Sequence, residues 1–252
     1  MNEAPDRDRY ARYEPLLIFA AFFLPAYLFQ SPAGTGELFN SLRFNLAYLA
    51  QALPQFFLLL YLIRQKGKQQ ESDEATMTSA DSAEPPGARG LAAFGVVTPT
   101  LGVVPWAVVG TLVLLVFLVP LAFVGQLMSS SLPVALADKV KWHLANPAML
   151  PLVFVVCLTA GYNEELYFRS YLLTCLPRLG VPAGGALLVS TLLFAAGHLY
   201  QGLAGFLGTG IVGLLLAWFF LKKRNLHVVA LAHGLYNFTA LLLTLVIPGA
   251  SW

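Results

Sequence analysis

Six polar residues stand inside otherwise apolar stretches of this sequence, and their types suit proton transfer. Glu164, Glu165 and Arg169 lie within Thr159-Ala-Gly-Tyr-Asn-Glu-Glu-Leu-Tyr-Phe-Arg-Ser170, between the apolar runs 151–158 and 171–176. His198 follows a third apolar run, and His233 and Asn237 lie within a fourth. A charge at membrane depth costs about 3 kcal/mol or more unless it is paired or solvated, so such residues mark a functional site by default. The two glutamates are also isolated. The 114 residues after Asp138 contain no other acidic side chain. A structural ion pair would need one carboxylate, and there are two.

Helical geometry divides them. Residues four apart share a face, so Glu165 reaches Arg169, whereas Glu164 points about 100° away toward a different neighbour. A carboxylate beside a guanidinium stays ionised and occupied; one that is unpaired and removed from water is the better proton acceptor. Phe194 shares a face with His198, and His233 with Asn237, by the same spacing. A single intramembrane histidine could do no more than bond a neighbouring helix. Two histidines, an asparagine and two glutamates from three spans ask for a chemical reading: either hydrolysis by an activated water, or a relay that carries protons or a solute. No serine or cysteine stands out as a nucleophile. Cys157 is seven residues from Glu164 with no activating cation near it in sequence, and with Cys175 it reads as a small core residue.

These residues need a membrane scaffold, and the composition supplies one. Hydrophobic residues make up 58% of the 252 and charged residues only 11%, against about 25% charged in soluble domains. The net charge of +2 gives no reason to expect nucleic acid. The expected fold is an all-α polytopic transmembrane helix bundle of seven spans: 15–29 (broken near Pro25), 42–63, 101–128, 150–176, 183–199, 203–221 and 228–247. No signal-peptide cleavage site follows the first span convincingly. Residues 1–63 form an N-terminal two-span segment. Residues 64–90, rich in Gln, Glu, Ser, Asp, Pro and Gly, read as a flexible cytoplasmic loop. Residues 91–148 hold the third span and a short interfacial helix, with Leu136, Val140 and Leu144 at four-residue spacing beside Trp142 and a surface His143. Residues 149–252 form a four-span core. Gly205, Thr209 and Gly213 give the sixth span a small-residue packing face, and His227 reads as interfacial.

With seven spans, eleven basic residues fall on the side of the N-terminus and three on the other, with Arg169 inside a span. The positive-inside rule then places the N-terminus in the cytoplasm and the C-terminus outside, in an integral protein of the cell membrane. An eighth span in the third or last apolar region would reverse the C-terminal assignment.

Glu164-Glu-Leu-Tyr-Phe-Arg169 fits E-E-x-x-x-R, Phe194-Ala-Ala-Gly-His198 fits F-x-x-x-H, and His233-Gly-Leu-Tyr-Asn237 fits H-x-x-x-N. In this order the motifs resemble the CAAX prenyl-protease type II and bacteriocin-processing (CPBP, Abi) family of intramembrane endopeptidases, over about residues 150–248. The resemblance implies a membrane-associated protein or peptide substrate. It also implies that Glu164 and His198 hold and deprotonate a water, while His233 and Asn237 donate hydrogen bonds to the oxyanion. Glu165, Arg169 and Phe194 would support them.

No cofactor is required by this reading. Glu164, His198 and His233 would nevertheless suit zinc, which takes imidazole and carboxylate ligands; the absence of H-E-x-x-H and the poor ligand quality of Asn237 favour metal-free catalysis. Two other functions compete: a transporter or proton relay, which commonly shows paired halves that are not visible here, and an inert immunity or scaffold protein, against which the complete motif set argues. One conflict stands. By helical rise, Glu164 falls roughly 22 Å from the outer start of its span and His198 roughly 22 Å from the inner start of its own, so simple spans place them at different depths.

Overall fold

The computed structural model describes residues 4–23, 39–77, 90–128 and 143–246, and these are helices and the turns that join them, with no strand among the described residues. The helices are α1 (Ala4–Phe22), α2 (Leu42–Met77), α3 (Val103–Met128), α4 (Leu150–Glu165), α5 (Leu173–Arg178), α6 (Ala183–Ala196), α7 (Gly202–Lys223) and α8 (Leu226–Val246). A π-helical segment, Leu166–Leu172, joins α4 to α5 without a break. The chain is therefore an all-α polytopic membrane bundle.

Among the described residues, five helical stretches are long and apolar enough to cross a membrane: Leu42–Ser72, Val103–Pro120, Pro147–Arg178, Gly205–Lys223 and Leu226–Val246. The other two expected spans differ. The helix α6 is apolar but has only 14 residues, about 21 Å. The helix α1 begins in the charged stretch before Pro15, and the expected end of its span beyond residue 23, with Pro25, lies outside the described residues.

The expected loop 64–90 also needs correction at its start. Helix α2 runs on through Arg64 to Met77, because Gln, Lys and Glu are good helix formers once the apolar run ends. Two contacts hold this extension: Lys66 pairs with Glu14 at 2.8 Å, and Arg178 donates to Gln70. Residues 78–89 lie outside the described residues, as does the expected interfacial helix up to Trp142. Leu144, assigned to that helix, is fully buried in the bundle, packed with Val153, Cys157 and Leu241. Its N–H donates to Thr244. His143 is half-buried, and its carbonyl accepts from Asn40.

Arg178, Lys223 and Arg224 gather at one end of the bundle. Arg178 lies over the Phe94 ring, Arg224 donates to the Ala93 carbonyl and Lys223 lies over Trp106. At the opposite end Asn40 accepts from the N–H groups of Ala145 and Asn146. His227 is tied in rather than free at an interface: its Nε2–H donates to the Val97 carbonyl and its Nδ1 accepts from Tyr162. With the basic end inward, a reporter inserted within residues 78–89 is expected to read cytoplasm, and one fused after Trp252 the exterior. A cytoplasmic C-terminal reading would break the seven-span count.

Candidate active site

Three packing features bring the motif residues together. The first is the crossing of α4 and α8. A Cβ at Gly161 would lie 2.6 Å from the Ala230 carbonyl oxygen and 2.8 Å from the Gly234 nitrogen; one at Gly234 would lie 2.9 Å from the Leu158 Cα. Only glycine at both positions lets the backbones touch, the close approach that small residues give membrane helices. Glu165 is one turn beyond Gly161 and His233 is next to Gly234, so the crossing sets them side by side. His233 Nδ1 lies 2.9 Å from Glu165 Oε1.

The second is the π-helical segment. Its wider turn is of the kind often found at functional sites, and all seven of its residues are buried. Tyr167 donates to the Pro15 carbonyl and Tyr171 to Glu14, which docks α1. Ser170 donates to the Phe94 carbonyl. Arg169 donates through Nη1 to Glu165 Oε1 at 2.9 Å and through Nη2 to the Gly213 carbonyl at 3.2 Å. Neither member of this ion pair is exposed to solvent. A single oxygen of Glu165 thus serves both Arg169 and His233.

The third is the antiparallel hairpin of the long helix 150–178 and α6. Ser190 donates to the Phe168 carbonyl, and the rings of Phe168 and Phe194 meet at 5.2 Å. Glu164 lies one turn before Phe168 and His198 one turn after Phe194, so the hairpin register sets them opposite each other. This resolves the depth conflict. The helix carrying Glu164 exceeds a membrane thickness, and α6 stops short, so counting from the shared turn at 179–182 places both residues at one level.

His198 lies just past the end of α6, not inside a span. Its Nδ1 is 2.9 Å from the Phe194 carbonyl, which can only accept, so Nδ1 carries the proton and caps the helix end. The Arg169 guanidinium sits 4.3 Å from the Phe194 ring centre, and that ring also meets His198 at 5.0 Å and His233 at 5.8 Å. Phe194 therefore spaces both histidines against the buried pair.

What this leaves is an uncommitted carboxylate. Glu164 is half-buried, and its Oε2 is buried without a hydrogen-bond partner among the described residues. Asn237 is one turn after His233 on α8, half-buried, with no side-chain hydrogen bond among the described residues.

Residues 146–239 match the family model described as type II CAAX prenyl endopeptidase, Rce1-like. Over this stretch the chain is similar to the Rce1-like CAAX endopeptidases. The Rce1-like region contains every motif residue named above and leaves out α1, α2 and α3. No curated protein and no solved structure matches the chain.

The sequence expectation of a Glu165–Arg169 pair agrees with the geometry of the Rce1-like region. Sequence reasoning missed the bond from His233 to Glu165, because it crosses between helices 68 positions apart. It also missed the bond from Asn163, the residue before Glu164, to Gln55 of α2 at 3.4 Å, which joins two separate helices.

Proposed function

We propose that the protein is an intramembrane endopeptidase of the cell membrane, hydrolysing a peptide bond of a membrane-associated protein or peptide by water held between Glu164 and His198. The observation that supports this most is the division between the glutamates. Glu165 is consumed by Arg169 and His233, while Glu164, set opposite His198 by the hairpin register, has an oxygen that no group among the described residues satisfies.

The chemistry follows from the atoms. Glu164 takes a proton from water as the water oxygen bonds to the scissile carbonyl carbon. The carbonyl π pair moves onto oxygen, where Asn237 Nδ2–H and a protonated His233 Nε2 can donate to it; a fixed donor there is worth about 2.7–4 kcal/mol. When the oxyanion pair returns, the C–N bond breaks and the leaving amine takes the proton from Glu164. His198, with its proton on Nδ1, presents the Nε2 lone pair as an acceptor for the second water hydrogen.

Zinc is the competing catalyst. Among the described residues no three His, Cys, Asp or Glu side chains stand close enough to hold a metal ion. The set Glu164, His198 and His233 does not fit zinc in this arrangement, and no step here runs through one. The test uses the purified protein in detergent with a quenched-fluorescence peptide ending in a farnesylated Cys, two aliphatic residues and a variable one. Cleavage is expected to survive exhaustive chelation. Loss on chelation that zinc alone restores would recast the three residues as ligands, and no cleavage at all would favour a carrier or an inert protein.

A further inference from the structure

A groove runs between α3 and α7, lined by Gly110, Val113 and Leu114 on one side and by Leu215, Trp218 and Phe219 on the other. Gly110 has no side chain to fill it, and Trp218 stands half exposed at its edge. One end of the groove is marked by charge. Trp106 lies one helical turn before Gly110, and Lys223 one turn after Phe219. The two meet, with Lys223 Nζ 2.9 Å from the centre of the Trp106 ring. Tryptophan favours the boundary between membrane and water, so this pair sets the end of the groove at headgroup level. The apolar remainder lies at the level of the hydrocarbon.

The next residue, Arg224, adds a guanidinium. It closes α7 at φ 46°, the left-handed conformation that helix ends usually give to Gly or Asn, and it donates through Nη2 to the Ala93 carbonyl at 2.6 Å. Arg178 lies 4.8 Å over the ring of Phe94, the adjacent residue of the same turn. Two guanidiniums thus converge on one turn. Among the described residues neither they, nor Lys222, nor Lys223 forms an ion pair; the pairs there join Glu14 to Lys66 and Glu165 to Arg169 and His233. Glu71 has its carboxylate against Gly90 rather than on a cation. Like charges set together repel unless an anion comes between them. The bias of basic residues to one side of a membrane is met anywhere in these loops. It calls neither for an arginine in left-handed backbone nor for a lysine folded over the mouth of a groove.

We infer that the groove and these cations form one binding site for an anionic phospholipid of the leaflet at this end of the bundle. An acyl chain lies between α3 and α7, and the phosphate sits with Lys223 and Arg224, with Arg178 as the third cation. A free phosphate would use the charges and leave the groove empty. A zwitterionic lipid would fill the groove but bring its own cation to the phosphate. An anionic lipid satisfies both, and guanidinium groups suit its phosphate because they donate in pairs. Binding here is independent of the reaction assigned to Glu164. It nevertheless braces the candidate site, because Ser170, next to Arg169, donates to the carbonyl of Phe94 in the turn that the two arginines hold.

Native mass spectrometry of the full chain from detergent micelles is expected to show one tightly held dioleoyl phosphatidylglycerol. It should be preferred at least about tenfold over dioleoyl phosphatidylcholine, since each cation near an anionic lipid is worth about fivefold. The double variant Lys223→Gln with Arg224→Gly should hold the two lipids equally, within about twofold. Glycine accepts the left-handed backbone, so its melting temperature in lipid-free detergent should stay near that of the wild type. Should it not fold, Lys223→Gln alone leaves the turn intact and should lose about fivefold in preference. Val113→Trp, which fills the groove, should weaken both lipids. Lys68→Gln removes an exposed cation from the extension of α2 at the same end and should leave the preference unchanged. A wild-type preference under about twofold overturns the site, as does unchanged lipid binding by Val113→Trp. An equal drop with Lys68→Gln would reduce the effect to diffuse surface charge, and displacement of the lipid by glycerol phosphate would make the seat one for free phosphate; either result also overturns it.

Discussion

Glu164→Gln is expected to abolish turnover, by at least about 10³-fold, while leaving the protein folded in membranes. General acid–base catalysis contributes about 10²–10⁴-fold, and here one carboxylate both takes the water proton and later delivers it to the amine, so its loss falls on two steps. The amide is nearly isosteric, and among the described residues no donor is bonded to Glu164 Oε2 and no ion pair involves it, so the substitution breaks none of these. The melting temperature should therefore move little. Measured with the farnesylated peptide and with membrane proteomics of the host, the variant should leave an uncleaved precursor to accumulate. Turnover by Glu164→Gln beside a well-folded but dead Glu165→Gln would reverse the assignment of the two glutamates.

Some of this could be read from the sequence because it is local. Glu165 and Arg169 are four apart, and a helix brings such a pair together whatever surrounds it. Membrane class and helical content were legible for a similar reason, since the apolar runs at 103–120 and 226–246 have little choice of structure in a bilayer. What was hidden depends on how helices end and where they cross. The expected span 183–199 stops at Ala196, where the chain turns through Gly197. That early stop, with the unbroken passage from α4 through the π-helical turn into α5, brings Glu164 level with His198. A π turn has no reliable sequence signature, and the continuation of α2 past Arg64 looked like the polar composition of a loop. The contact of His233 with Glu165 required the Gly161–Gly234 crossing. Each glycine was visible, but nothing in the sequence said that these two would meet.

That contact changes what is expected of the buried pair. Glu165→Gln or Arg169→Met alone strands its partner as an uncompensated buried charge, a loss of about 3–5 kcal/mol in soluble interiors, and each should lower melting temperature and yield sharply. Side-chain hydrogen bonds across membrane helices average only about 0.6 kcal/mol, so the stranded charge, more than the bond to His233, decides stability. The double variant Glu165→Gln with Arg169→Met removes both charges and should recover most of the loss. Activity should not follow. In the native site an ionised carboxylate, pinned by Arg169, can only accept, so it fixes the Nδ1–H of His233 and the direction of its ring. A glutamine amide can accept or donate according to its rotation, and without Arg169 nothing holds it one way. Partners that orient a functional histidine in metal sites are worth about 10–100-fold, and a deficit of that order in kcat, with KM little changed, is expected of a double variant that melts near the wild type. If the double variant regained both stability and full turnover, Glu165 would be a structural counter-ion alone, and the bond to His233 would carry no catalytic role.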